Sequence, residues 1–193
     1  MAALTPQKIR ELVLVYYPDP SEQLVTQLSI YLDLLLKWNA RTNLTAIRDP
    51  EEIVRRHFGE SLFVARHLPA CSTLLDLGSG AGFPGLPIQL AHPGLYVTLA
   101  ESQNKKASFL REVVRTLGLS TEVWGDRVEK MPPTRRFDVV ALRAVDNPAV
   151  ALGLARTRLA EGGLIAHLTS AGDEAGTAVP VPNSSQTVLR LFR

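Results

Sequence analysis

The chain has 193 residues, 46% of them hydrophobic and 21% charged, with a formal net charge of +2 and a sequence pI near 8.8. That balance fits one globular core with a smaller appended layer, and it excludes a polybasic tail and a low-complexity chain. The single cysteine, Cys71, excludes an internal disulfide and a cysteine-built metal site and fits a reducing compartment, so no metal is expected.

The first residues lack the basic and long apolar regions of a signal peptide, and no apolar run approaches the roughly 20 residues that span a bilayer. A cytoplasmic protein with no membrane partner is therefore expected. Thr5-Pro6 is a cap followed by proline at the first helical position, and Ile9, Leu12, Val13 and Tyr16 keep helical spacing until Pro18 and Pro20 stop it. Ser21 caps a second helix whose Leu24, Leu28, Tyr31, Leu32 and Leu35 form one apolar stripe. Asp49-Pro50-Glu51-Glu52 opens a third, predicted to run unbroken to about His67. Residues 1–70 thus read as a helical subdomain.

From residue 72 the pattern changes to short apolar runs alternating with helical ones. Strands are predicted at Leu74–Leu77, Tyr96–Ala100, Glu122–Trp124, Val139–Leu142 and Leu164–Leu168. Ala107, Leu110, Val114 and Leu117 mark the clearest helix between them, with Gly118 as its stop. Such alternation means a parallel sheet covered on both faces, an α/β domain over residues 71–193. The tail is predicted as a hairpin of Val179–Pro182 and Thr187–Phe192. Thr169 through Pro182 carries no apolar stripe, so a loop is expected there in place of a last covering helix.

The most informative segment is Leu74 to Gly85, where a buried strand empties into glycines at alternate positions. A dinucleotide fingerprint would read G-x-G-x-x-G and open a helix facing a pyrophosphate. Here the third glycine comes one residue early, and Pro84 stands where a phosphate-binding helix would begin. That form suits a cofactor without phosphates, of which S-adenosylmethionine is the common one. Gly78 and Gly80 would line it. Glu101, after the second strand, is placed to accept hydrogen bonds from both ribose hydroxyls. Asp76 could accept from the cofactor's amino group or tie the loop's amides together. Gly125 to Glu129 follows the third strand, where adenine is usually flanked.

Arg143 follows the fourth strand, beside the cofactor's reactive end. No Asn-Pro-Pro-aromatic motif for exocyclic amines stands there, and Cys71 is misplaced for a thiolate nucleophile. An arginine favours an acceptor that needs no deprotonation, and guanine N7 is one. Arg143 is therefore the catalytic candidate, a structural or phosphate-contacting role being the other reading. Two basic groups, Lys37, Arg41, Arg48, Arg55 and Arg56, and Lys105, Lys106, Arg111 and Arg115, either track RNA phosphates or form solvated faces.

With these residues in view, the chain resembles the bacterial glucose-inhibited division protein B family of small-subunit rRNA guanine-N7 methyltransferases. The match runs from Lys37-Trp38-Asn39 through Asn43-Leu44-Thr45, Arg48-Asp49-Pro50, His57 and Glu60-Ser61 to Asp76–Pro87. It continues through Lys105-Lys106, Phe109-Leu110, Arg127-Val128-Glu129 and Phe137-Asp138 to Arg143-Ala144. The resemblance implies a Rossmann-like methyltransferase fold with a seven-stranded type of sheet and a shortened C-terminal part. It also implies methyl transfer from S-adenosylmethionine to N7 of guanine 527 in 16S rRNA, by a monomer acting on the small ribosomal subunit or its assembly intermediate. Carried over by position, the cofactor contacts are Gly78, Phe83, Glu101, Ser102, Gln103, Val128, Glu129 and Arg143. The chain departs from the family at Glu60, where aspartate is usual, and around Thr169–Gly172 and Ser185-Gln186. Three rival readings stand beside this one: a nicotinamide-dependent oxidoreductase, a cofactor- or RNA-binding homologue that has lost activity, and a methyltransferase acting on a small molecule or on protein.

Overall fold

The computed structural model describes residues 4–145, 147–170, 172 and 177–193. Its helices begin where the capping chemistry places them. The Thr5 side chain accepts from the Lys8 amide at 3.2 Å ahead of α1 (Pro6–Val13), and Ser21 accepts from Leu24 at 3.1 Å ahead of α2 (Glu22–Thr42). The α2 stripe from Leu24 to Leu35 is buried, and the helix ends on Asn43 in the left-handed region.

The third helix is not continuous. It divides into α3 (Pro50–Ile53), a π-helical segment (Val54–Gly59) and α4 (Glu60–His67). A π turn holds an extra residue per turn, which rotates α4 relative to its place in an unbroken helix. Val54, Phe58 and Leu62 all remain buried across the junction.

Seven strands form one sheet in the order β3-β2-β1-β4-β5-β7-β6. These are β1 (Thr73–Leu77), β2 (Tyr96–Ala100), β3 (Glu122–Trp124), β4 (Phe137–Arg143), β5 (Leu159–Ser170), β6 (Thr177–Pro180) and β7 (Thr187–Phe192). The first five are parallel, and β7 runs antiparallel to both β5 and β6. The connections contain α5 (Gly85–Ala91), α6 (Asn104–Thr116) and α7 (Pro148–Arg156). Alternate residues serve opposite faces, as the pleat requires. Leu74 packs with Leu28, Phe58, Leu86 and Phe109 from the helices of one face, whereas Leu75 packs with Val128, Val140, Ala155 and Ile165 on the other.

β5 begins five residues before the predicted Leu164. Gly162 takes a positive φ and the pairing with β4 is irregular between Phe137 and Val139, so the strand bends through its glycines and does not end at them. β6 begins two residues earlier than predicted. β5 ends at Ser170 and β6 starts at Thr177, an interval shorter than two turns of α-helix. Of the span predicted as loop, Thr169-Ser170 belong to β5 and Thr177–Pro180 form β6, because both pair with β7; residues 171 and 173–176 lie outside the described residues. Among the described residues, no helix is long and apolar enough to cross a membrane.

Candidate active site

The glycine loop joins β1 to α5 at the C-terminal edge of the sheet. Its amides are largely taken up within the protein. Gly78 and Ser79 both donate to the Ala100 carbonyl at 3.0 Å, while Gly82 and Phe83 donate to the Ser79 carbonyl at 2.7 and 3.0 Å. Gly80 donates to Glu101 Oε2 at 3.0 Å, and Gly85 to Asp76 Oδ2 at 2.9 Å. A pyrophosphate site needs free amides aimed outward from such a loop. This loop instead offers a folded-back rim with open space above Gly80, where an added Cβ would meet only the Gly78 carbonyl oxygen, at 3.9 Å. That geometry fits an adenosyl group without phosphates.

Of the residues singled out from the sequence, Gly78, Gly80, Phe83, Glu101, Gln103 and Arg143 line one cleft of about 590 Å³. Ser102, Val128 and Glu129 line its smaller continuation of about 220 Å³, which shares Gly78 and Glu101. Asp76 lies behind the loop, fully buried, and ties it to α5; its Oδ1 has no hydrogen-bond partner among the described residues. Burial pushes its carboxyl up to about 7. Glu101 also accepts from the Gln103 amide at 2.7 Å, so its two oxygens brace the loop and α6 while keeping further lone pairs for a ligand.

Arg143 stands at the end of β4, but its fork is held within the protein. Nη2 donates to the Arg56 carbonyl and to Glu60 Oε2, both at 2.7 Å, and Nη1 reaches the His57 carbonyl at 3.4 Å. The guanidinium therefore fastens the π segment and the start of α4 to the sheet. The sequence reading makes Arg143 the catalytic candidate beside the cofactor's reactive end, with a structural or phosphate-contacting role as the other reading. The next residue, Ala144, has φ of 48°, a left-handed conformation uncommon for a residue with a Cβ, and it too lines the cleft.

Sequence reasoning left the remaining wall unassigned. His57 stacks on Phe83 with ring centres 4.7 Å apart, and its Nε2 lies 2.7 Å from Thr45 Oγ1. Burial, then Arg143 and Arg56, pull its imidazole down to about 3, so it is neutral. Thr45 is placed by Asn39, whose Oδ1 accepts from the Thr45 amide at 3.0 Å. Arg48 locks the same turn onto the Asn39 carbonyl and Asn43 Oδ1. The Lys37–Arg48 motif is thus the scaffold of one pocket wall. Tyr31, part of the α2 stripe, donates from its hydroxyl to the Ala81 carbonyl and holds the loop from beneath. The signal for Asn147 was present in Asn147-Pro148, a cap with proline after it; it opens α7 and lines the cleft.

Sheet order, folded-back loop and the acid after β2 together define a Rossmann-like S-adenosylmethionine-dependent methyltransferase fold. Two solved structures share it. A T. thermophilus 16S rRNA N2 G1207 methyltransferase in complex with AdoMet and guanosine aligns with a TM-score of 0.53 at 20% identity, over 67% of this chain and 41% of that one. A ribosomal protein L11 methylase from Lactobacillus delbrueckii aligns with a TM-score of 0.53 at 12% identity, over 70% and 79%. The chain belongs to the rRNA small subunit methyltransferase G (GidB) family, whose model matches residues 24–181. Among its relatives, ribosomal RNA small subunit methyltransferase G of Chromobacterium violaceum is 43% identical over 144 residues, 74% of this chain and 69% of that protein. The same-named protein of Stenotrophomonas maltophilia is 46% identical over 136 residues, 70% of this chain and 64% of that protein. The aligned part spans about two thirds of each relative.

Proposed function

We propose that this chain transfers a methyl group from S-adenosylmethionine to N7 of guanine 527 in 16S rRNA, acting as a cytoplasmic monomer on the small ribosomal subunit or its assembly intermediate. The observation that carries the cofactor is the loop whose amides are occupied internally, beside the Glu101 carboxylate. Family membership supports the substrate.

When bound, S-adenosylmethionine supplies an electrophilic methyl carbon on a cationic sulfur that departs as a neutral thioether. Gly78, Gly80 and Phe83 form the cradle, Glu101 accepts from ribose hydroxyls, and Val128 and Glu129 flank the adenine side. Arg143 holds the reactive end of the cleft in shape through Glu60 and the π segment. Guanine N7 carries a free lone pair and no proton, so the site needs alignment and exclusion of water more than a base. His57, with its pKa held near 3, is a poor base and serves as a wall. The test is transfer of a tritiated methyl group to small subunits and to naked 16S rRNA. The proposal expects label in RNA, and cofactor binding without any transfer would favour the inactive homologue.

A further inference from the structure

A second cavity of about 440 Å³ opens on the far side of the β4 end. It shares Arg143, Ala144 and Val145 with the cofactor cleft and extends over β5 and β7 to Thr169, Ser170 and Thr187. The adenine side of the first cleft lies over β2 and β3. The sheet order therefore sets out a line from adenine through the glycine loop to β4, and the second cavity continues it. In-line displacement requires the acceptor opposite the departing sulfur, and the second cavity, over β5 and β7, is a space that adjoins the Arg143 end of the cleft.

Resting on the proposed function, we infer that this second cavity receives the target guanine and that Glu60 reads its Watson–Crick edge. Glu60 is the sole carboxylate among the described residues that line it. Its Oε2 is held by Arg143 at 2.7 Å, whereas Oε1 has Arg56 Nε at 3.8 Å, beyond hydrogen-bond length. An ionised carboxylate only accepts, and guanine presents two donors on one edge, N1–H and the exocyclic amine. Adenine presents a lone pair at N1 and C2–H where guanine carries its amine, so the same carboxylate meets repulsion at N1 and finds no paired donors. Engaging that edge leaves N7, on the opposite side of the purine, free for the methyl group. An arginine forked onto O6 and N7 would block the reacting atom.

Inosine, which lacks the exocyclic amine, isolates this contact. 16S rRNA carrying guanine or inosine at the methylated position is presented in reconstituted small subunits, and kcat/KM is measured for each. The wild type is expected to prefer guanine about 10- to 100-fold, the scale of one hydrogen bond to a charged group. Glu60→Gln is expected to bring that ratio near one. A purely structural Glu60 would lower both substrates by the same factor and keep the ratio. Should Glu60→Gln fail to fold, Glu60→Asp keeps the charge and draws the carboxylate back, and it is expected to narrow the ratio severalfold. Equal rates in the wild type, or an unchanged ratio in the folded variant, overturn the inference. Absence of any transfer to guanine overturns the proposed function itself.

Discussion

Gly80 and Gly82 stand two residues apart, both at positive φ, yet their surroundings differ. A Cβ on Gly80 meets open space, whereas one on Gly82 would lie 2.4 Å from Leu86 Cδ1 and 2.5 Å from Tyr31 Oη. Gly80→Val is expected to cost the fold only the strain of a left-handed residue, about 1–2 kcal/mol, while abolishing S-adenosylmethionine binding. Gly82→Ala is expected to lower stability more, through overpacking against α5 and Tyr31. Calorimetry and urea unfolding on both variants separate the two, and unchanged affinity in Gly80→Val removes the cradle from the cofactor site. Two buried groups bind protons in opposite senses. Asp76, raised to about 7 by burial, keeps a proton in the folded chain that the unfolded chain loses near pH 4, so its contribution falls as pH rises from about 4 to 7. His57, lowered to about 3, refuses a proton the unfolded chain takes below about pH 6.5, so its contribution falls as pH drops through that window. The two oppose one another between about pH 4 and 6.5. His57→Asn removes the second alone, so its urea midpoint should rise relative to the wild type on acidification from pH 6.5 to 4.5. Parallel midpoints would contradict the buried, neutral histidine.

At the scale of elements, the Arg143–Glu60 pair joins β4 to α4, with both side chains largely buried. Arg143→Met would leave the Glu60 carboxylate buried beside Arg56 alone and is expected to cost about 3–5 kcal/mol in denaturant unfolding. Arg143→Lys keeps the charge but not the fork to Arg56, His57 and Glu60, so it should fold and lower methyl transfer about 10- to 100-fold. Full activity in Arg143→Lys would show that the fork does not shape the site. The strand ends and caps around this pair were legible because Thr5, Ser21 and Asp49 state their chemistry locally, and because β1 and β2 are short, mostly apolar runs. The π segment was not legible, since Val54, Phe58 and Leu62 satisfy helical spacing equally well in an unbroken helix. The same turn brings the Arg56 and His57 carbonyls to Arg143, a partnership that joins residues about 86 positions apart and leaves no periodic signal. β5 reads short in the sequence for a similar reason, because Gly162 and Gly163 mark a stop locally and are overridden by pairing with β4. The cleft-lining residues were readable because loop, acid and strand end stand at spacings fixed by the chain itself.

Across the whole molecule, helices of residues 6–67 and the sheet bury their apolar faces in one cluster, from Ile9 and Leu28 to Leu99 and Val139. The two tryptophans report on different parts of the core, Trp38 packing against this cluster and Trp124 against the smaller one on the other face of the sheet. Trp38 on α2 donates to Glu112 on α6 at 3.1 Å, and Trp124 closes β3. Urea unfolding followed in Trp38→Phe and Trp124→Phe should give transitions of the same shape, each a single step, once each variant's own stability is referenced by circular dichroism. A fluorescence midpoint displaced from the circular dichroism midpoint in either variant would mean that the layers unfold separately. The same unity explains how a helical layer supplies His57, Thr45 and Glu60 to a site whose loop belongs to the sheet. In the proposed reading, adenine and ribose lie toward β2 and β3 and the acceptor guanine toward β5 and β7. The most direct measurement is chemical mapping of the methylated product. Small-subunit rRNA treated with the protein and S-adenosylmethionine is reduced with borohydride and cleaved with aniline, which breaks the strand at N7-methylguanine. One new break at guanine 527, absent without cofactor, is the predicted result; methyl label in the RNA with no such break would contradict transfer to N7.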